Sequence, residues 1–388
     1  MNETLTPHAA EDIFAEQERG VAPVAAGERI GTLDFIRGLA VMGILAANIV
    51  AFGQPVEAFM EKAWARGATR RLQAWRLMIL MGFGLVHFFF IWAGDILFYY
   101  ALFGLVALAC LRWSVKTQLW VGLAGYILGA LAFAAMFTIM WAVTDTPFGE
   151  SSPVLADQRA QMLAGIDATL AHGAVPNATI ATGDYGGLVT HRLTQQWSEP
   201  LTNAMLFGFE TLPLMLIGIA LYRLGFFSGG FDRGKMLRWG WIGLIAGGLA
   251  HLAAGLVVKA SGFSFYSTLA AFVGWSVLPR LWMVLGLAAL LVVYAPSATG
   301  WLGDRIRAAG RAAFTNYLGT SVLMMLVFHG WALGLFGELN RPQLYIVVVL
   351  AWVVMLAWSK PWLDRFRYGP LEWLWRCLTY RTLFPLRK

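Results

Sequence analysis

Cysteine is nearly missing from this chain, and charge is scarce. Cys110 and Cys377 are its only two thiols. They form neither a disulfide framework nor a metal-ligand spacing. Only 13% of the residues are charged, about half the share of a soluble domain. Period-two alternation is absent, which excludes a closed transmembrane barrel. So are a P-loop and a Gly-x-Gly-x-x-Gly ahead of a helix, and nucleotide hydrolysis is therefore not indicated. No short-period repeat, low-complexity segment or inverted repeat of the transporter type is visible. The net charge of +7 is scattered between apolar runs. That distribution does not suggest a nucleic-acid partner.

What the chain has is hydrocarbon. Its 388 residues are 59% apolar and include 18 Trp. Apolar runs of about 20 residues recur, the length a helix needs to cross a bilayer. The expected fold is all-α: a polytopic membrane helix bundle of about nine transmembrane helices plus a C-terminal interfacial helix. The nine spans read as Leu33–Phe52, Leu72–Trp92, Asp95–Leu111, Leu119–Val143, Leu201–Leu224, Leu237–Val258, Thr268–Tyr294, Ala312–Leu335 and Leu344–Trp358. Residues 1–30 carry Glu3, Glu11, Asp12, Glu16 and Glu18 with no apolar core. They read as a polar tail and not a cleaved signal peptide. Residues 31–360 form the bundle, with an extracytoplasmic loop at 144–200, and 361–388 form a cytoplasmic amphipathic tail.

Lys and Arg in the connections set the orientation. Arg112 and Lys116, then Arg223 to Arg238, then Arg305, Arg307 and Arg311, and the tail from Lys360 to Lys388 all belong on the cytoplasmic side. Thr144–Pro200 has only Arg159 and Arg192 as basic residues and belongs outside. Gln158–Leu170 suits a short helix there, and the loop is long enough to cover an outward-facing cavity. The first span breaks the alternation. The connector from Gly53 to Arg71 carries Glu57, Glu61, Lys62 and Arg66, too many charges for a return crossing. The chain reads as one crossing short. The tail around Trp373, Trp375 and Arg376 reads as a helix lying in the interface, or as a basic tail with no docking role.

Polar residues within apolar runs are the candidates for chemistry, because unpartnered burial there is expensive. Asp34 and Arg37 are one turn apart, and Asn48 returns to nearly the same helical face. The alternative for Arg37 is a side chain snorkelling to the headgroups. His87 and Asp95 flank a tight turn: a histidine serves as general base, and a carboxylate on its second nitrogen orients it. Glu210, His251 and His329 fall at a similar depth. With Trp92 they are candidate substrate-binding residues around a water-accessible cavity. The other reading of each histidine is a hydrogen bond to a neighbouring helix. No two of these histidines share an i, i+4 pairing, so no metal site is expected. Two features are awkward: Arg280 follows Pro279 inside one span, and Glu210 lies mid-span before Pro213. The run from Arg305 through Arg311 to Asn316 makes a basic helix entrance. Arg37, Arg311 and Asn316 are candidates for holding the phosphates of a cytosolic cofactor, and the alternative is an anchor for anionic lipid.

Four blocks resemble a known family. Leu33-Asp34-Phe35-Ile36-Arg37-Gly38 with Asn48-Ile49 is similar to the amino-terminal signature of the YeiB-like proteins, bacterial inner-membrane proteins named for a domain of unknown function. Leu85-Val86-His87 through Trp92-Ala93-Gly94-Asp95-Ile96-Leu97 resembles a second block, and Gly310-Arg311 to Thr315-Asn316-Tyr317 a third. Gly369-Pro370-Leu371-Glu372-Trp373-Leu374-Trp375-Arg376 resembles the carboxy-terminal motif. The resemblance implies membership in a wider group of transmembrane acyltransferases, a bacterial inner-membrane location and a cytoplasmic C-terminus. It implies transfer of an acyl group, often acetyl from acyl-CoA (acetyl-CoA), to a small-molecule or glycan acceptor beyond the bilayer. Many of that group place a histidine eleven residues after the arginine, where this chain has Asn48. The expected catalytic set is therefore His87 and Asp95, with Asn48 polarising or orienting. YeiB-like proteins also carry a further span after the region of Phe52, at the place where this chain reads short. Three functions stay open: an acyltransferase, a small-molecule transporter or exporter using the same cavity, and a non-catalytic membrane scaffold.

Overall fold

The structure, a computed structural model, describes residues 34–40, 42 and 70–388. Its named elements are all helical, and β pairing among the described residues is limited to one isolated bridge between Phe366 and Arg387. In chain order they are α1 Arg70–Val86, which runs on into a π-helical turn His87–Ile91, α2 Leu97–Cys110 and α3 Val115–Asp145. Next come α4 Pro153–Thr182, α5 Tyr185–Gln195, α6 Glu199–Arg223 and α7 Arg233–Ala260. A short α8 Phe265–Leu269 continues into a second π-turn, Ala270–Trp275, and then α9 Val277–Tyr294. The last four are α10 Trp301–Arg311, α11 Ala313–Phe328, α12 Arg341–Arg365 and α13 Pro370–Tyr380.

Six helices among the described residues are long and apolar enough to cross a membrane: Arg70–Ile91, Val115–Asp145, Glu199–Arg223, Arg233–Ala260, Val277–Ser297 and Arg341–Arg365. Two expected spans are shorter. α2 has 14 residues and α11 has 16. At 1.5 Å per residue they reach about 21 and 24 Å, short of a hydrocarbon core of about 30 Å. The expected span Thr268–Tyr294 is broken at the π-turn. Pro279 cannot donate a backbone bond and crowds the carbonyl four residues back, so a regular helix cannot run through the preceding turn. Of the expected first span only residues 34–40 and 42 are described, all helical. The expected missing crossing after Phe52 lies outside the described residues.

Close backbone approach holds the bundle, as suits helices in a solvent as apolar as their own side chains. α7 presents Gly240, Gly243 and Gly247 to α9. A Cβ on Gly243 would stand 2.7 Å from the Trp282 carbonyl, and one on Gly286 would stand 2.6 Å from the Gly240 carbonyl. The amino-terminal segment 34–40 lies against α10 in the same way, with Gly38 on the Ile306 carbonyl and Gly310 on the Asp34 carbonyl. Large apolar side chains such as Trp239, Ile245 and Leu249 on α7 point outward, where hydrocarbon replaces water.

The long connection 144–200, expected to hold one short helix, holds two. Ser152 caps α4 by accepting from Leu155 N at 3.3 Å, and Pro153 fills its first turn. Gly183, at φ 79°, ends it in the left-handed conformation. α4 has no buried residue. Its end is pinned where Gly330 N donates to Ile180 O at 2.9 Å.

The C-terminal helix α13 is docked against the arginine-rich end of the bundle. Glu372 accepts from Phe314 N at 2.7 Å, from Thr315 N at 3.1 Å and from the Thr315 hydroxyl. These are the orphan donors of the first turn of α11. Trp375 Nε1 donates to Arg76 O at 3.1 Å, and the Arg76 guanidinium lies 4.9 Å over the Trp375 ring. Burial pushes the Glu372 carboxyl above its usual range, and the three donors pull it back. Replacing Glu372 by Ala is expected to lower stability by about 1–3 kcal/mol and to expose Arg376 and Arg381 to trypsin. Thermal unfolding and timed proteolysis in detergent check both.

Candidate functional site

Among the described residues two apolar helices are interrupted by π-turns, and both interruptions border one region. At the first, the π-turn His87–Ile91 closes with Trp92 N donating to His87 O at 2.7 Å. The chain then leaves helix until Leu97. Asp95 restarts it: one carboxylate oxygen caps α2 by accepting from Phe98 N at 2.8 Å, next to the positive end of the helix dipole. The other lies 2.7 Å from His87 Nδ1. A carboxylate can only accept, so Nδ1 carries the proton and Nε2 bears the lone pair. Tyr317 on α11 closes the triad. Its hydroxyl accepts from Ile96 N at 3.2 Å and donates to Asp95 at 3.5 Å. Gly84 makes the approach of α1 and α2 feasible, because a Cβ there would collide with the Phe98 backbone and the Asp95 carboxylate.

Two cavities meet at this point. One of about 420 Å³ is lined by Trp92, Asp95, Tyr99, Glu210, Arg280 and Tyr317, among others. The second, of about 390 Å³, lies between α11 and α12 and includes Trp92, Ile180, Arg192, Tyr317 and His329 in its wall. Trp92 and Tyr317 border both. His87 borders neither. It is wholly buried behind them, its ring 5.2 Å from Tyr317 and 6.2 Å from Trp92. Its Nε2 is buried with no hydrogen-bond partner.

The two awkward residues account for each other. Arg280 donates to both Glu210 oxygens, at 3.0 and 2.9 Å. Its other amino group donates to Phe272 O and to the Ser276 hydroxyl, each at 2.9 Å. Phe272 belongs to the second π-turn, so the arginine satisfies a carbonyl that the irregular backbone frees. Tyr126 donates to Val277 O at 2.8 Å and stands 3.4 Å from Glu210. The pair therefore ties α6 to the broken helix on the cavity wall.

Asp95, Glu210 and Trp92 thus share a cavity, with His87 directly behind. The remaining candidates are placed differently. Asn48 lies outside the described residues. Arg37 pairs with Asp34 at 3.0 Å, on the segment that packs against α10, whose last residue is Arg311. Asn316 does not face a ligand site. Its amide nitrogen donates to Ala309 O at 3.0 Å and the Ser359 hydroxyl at 3.1 Å, and its oxygen accepts from Trp358 Nε1 at 2.8 Å. Short of reach and spent on α10 and α12, it serves as a bolt between helices. His251 also departs from expectation. Its Nδ1 meets Gly247 O of its own helix at 2.7 Å, and it borders neither cavity. His329 borders the second cavity and accepts from Trp331 Nε1 at 3.2 Å. No group of three or more His, Cys, Asp or Glu suited to a metal occurs among the described residues.

Sequence reasoning noted Arg192 only as a loop charge and Tyr317 only as part of a motif. Nothing in spacing marks either, since both arrive at the site from distant elements. Replacing Arg280 by Met is expected to destabilise the fold by about 2–3 kcal/mol. That lies below the 3–5 of a fully buried pair because the Glu210 side chain is 26% exposed. Adding Glu210→Met should restore part of the loss, read as denaturation midpoints of the single and double variants.

Residues 221–382 match a family model described as "Protein of unknown function (DUF418)". The Escherichia coli (strain K12) "Uncharacterized protein YeiB" is 28% identical over 410 residues, covering 92% of this chain and 98% of that protein. The Bacillus subtilis (strain 168) "Uncharacterized protein YxaH" is 25% identical over 423 residues, covering 94% and 98%. Both alignments are longer than the 388-residue chain, so each relative carries residues with no counterpart here. No solved structure matches the chain. Its helices are apolar enough for a bilayer, and along nearly its whole length the chain is similar to YeiB and YxaH, so it reads as a helical membrane protein that resembles the YeiB-like proteins.

Proposed function

We propose that the protein is an integral-membrane acyltransferase of the bacterial inner membrane, moving an acyl (acetyl) group from cytosolic acyl-CoA to an extracytoplasmic hydroxyl or amine. The observation that carries this reading is the buried His87–Asp95 pair, 2.7 Å apart, with an unpartnered Nε2. An imidazole so oriented is a general base with its lone pair reserved. His87 Nε2 takes the proton of the acceptor O–H or N–H, and the freed oxygen or nitrogen attacks the thioester carbonyl. The C–S bond breaks, and the departing thiolate receives the proton from His87. Asp95 holds the tautomer and stabilises the transient imidazolium. Trp92 must swing aside for Nε2 to meet an acceptor in either cavity.

At the arginine-rich end, Arg305 donates to Leu356 O and Arg307 to Ala295 O, each at 2.8 Å. Each thus has one guanidinium nitrogen engaged with backbone, and the residues assigned to the donor's phosphates are Arg37 and Arg311. Asn316 is left out of that role for the reason given above.

A second reading is favoured by one feature. Two interrupted helices flanking a polar cavity at membrane depth are also how secondary transporters build substrate sites. Export would then require no acyl donor.

The test uses inverted membrane vesicles containing the protein and radiolabelled acetyl-CoA supplied outside. Label should accumulate on a protected acceptor in the lumen, and His87→Ala should lower the rate by at least about 100-fold. Undiminished transfer by His87→Ala would refute the role of that residue. Donor-independent substrate flux in proteoliposomes would establish the transporter instead.

A further inference from the structure

The second cavity contains a buried cation with nothing of opposite sign beside it among the described residues. Arg192, on α5, is 4% exposed. Its one side-chain hydrogen bond is from Nη1 to Phe89 O, at 3.5 Å. Among the described residues no carboxylate pairs with it. The other arginine of the same connection, Arg159, is paired with Glu150. Tyr185, the neighbour that favours the charged form of Arg192, spends its hydroxyl on Phe90 O at 2.8 Å. A charge held out of water with no counter-charge is costly, and a ligand of opposite sign removes that cost.

The second polar group at that end of the cavity is also a donor. His329 accepts from the Trp331 indole through Nδ1 at 3.2 Å. The neutral ring therefore carries its proton on Nε2 and offers an N–H. Away from these two residues the wall is mostly hydrocarbon, including Met324, Met325, Phe328 and Val347, with Tyr317, Thr320 and Ser321 as its hydroxyl-bearing members. At about 390 Å³ the cavity has the size of a small-molecule site. The end of α4 is fastened over it through Gly330 N to Ile180 O at 2.9 Å, and Ile180 itself lines the cavity. A pocket with donors at one end and hydrocarbon along its length fits a molecule with an anionic head and an apolar chain.

We infer that the cavity between α11 and α12 binds an anionic amphiphile, its phosphate or carboxylate head on Arg192 and His329 and its hydrocarbon chain against Met324, Met325 and Phe328. This site does not require the acyl-transfer reading: binding there needs neither His87 nor a thioester donor. If that reading holds, the ligand class describes the acceptor.

The experiment follows thermal unfolding of the full-length protein in nanodiscs of neutral phosphatidylcholine with dodecyl phosphate, dodecanol or inorganic phosphate added. Dodecyl phosphate at a hundred times its Kd should raise Tm by about 3 °C. Dodecanol and inorganic phosphate at the same concentration should leave it unchanged. Arg192→Gln should abolish the shift. Met324→Trp, which fills the apolar end without touching the cation, should abolish it too and serves if Arg192→Gln does not fold. His87→Ala should respond like the parent protein, which separates this inference from the catalytic one. Equal shifts from dodecanol, a shift from inorganic phosphate alone, an unchanged shift in Arg192→Gln, or no shift in the parent protein would each overturn it.

Discussion

A charge placed in hydrocarbon must be answered by another group, and that constraint arranges this molecule. Glu210 and Arg280 are tolerable because each oxygen of the one meets an N–H of the other. Asp95 is tolerable because a helix terminus, an imidazole and a phenol converge on it. Both sets stand on one cavity wall or directly behind it. The Arg280 pair braces the wall, and the His87–Asp95 pair leaves Nε2 of His87 without a hydrogen bond among the described residues. Among the described residues Arg192 is the case without an internal answer, and it lies in the wall of a largely apolar cavity.

Irregular backbone obeys the same rule. A carbonyl or amide freed in a bilayer has no water to turn to, so breaks survive only where protein groups satisfy them. Trp92 N finds His87 O, Phe98 N finds Asp95, and Phe272 O finds Arg280. Each repair uses a side chain or carbonyl that also shapes the cavity. The broken helices α1–α2 and α8–α9 are therefore the structural source of the site. The unbroken ones, α7 above all, serve as a membrane-facing scaffold packed through glycine.

Much of the architecture was legible in the chain. Long apolar runs mark six helices; four of them end within a few residues of expectation, while the fifth begins nine residues late, at Val277, and the sixth runs seven residues on, to Arg365. His87 and Asp95 were recognisable as partners because only a turn separates them. Three readings failed for one reason: linear patterning does not reveal what a side chain meets. Asn316 looked available for a phosphate and is consumed by α10 and α12. His251 looked cavity-facing and turns to its own backbone. The connection 144–200 looked like a loop because its long helix α4 buries no residue, and a helix without an apolar stripe carries little signal.

The sequence by itself determined that this is a bilayer-embedded helical chain, where its long apolar helices lie, and that costly polar residues lie within them. Hydrophobic length and charge spacing are local properties, and local properties survive in a one-dimensional string. Only the tertiary structure decided that Glu210 answers Arg280 seventy residues away, that Tyr317 closes the His87–Asp95 pair, and that Arg192 lacks a counter-charge among the described residues. Each of these depends on which helices touch, and that is set by close packing at glycines and by the need to satisfy every buried polar group together.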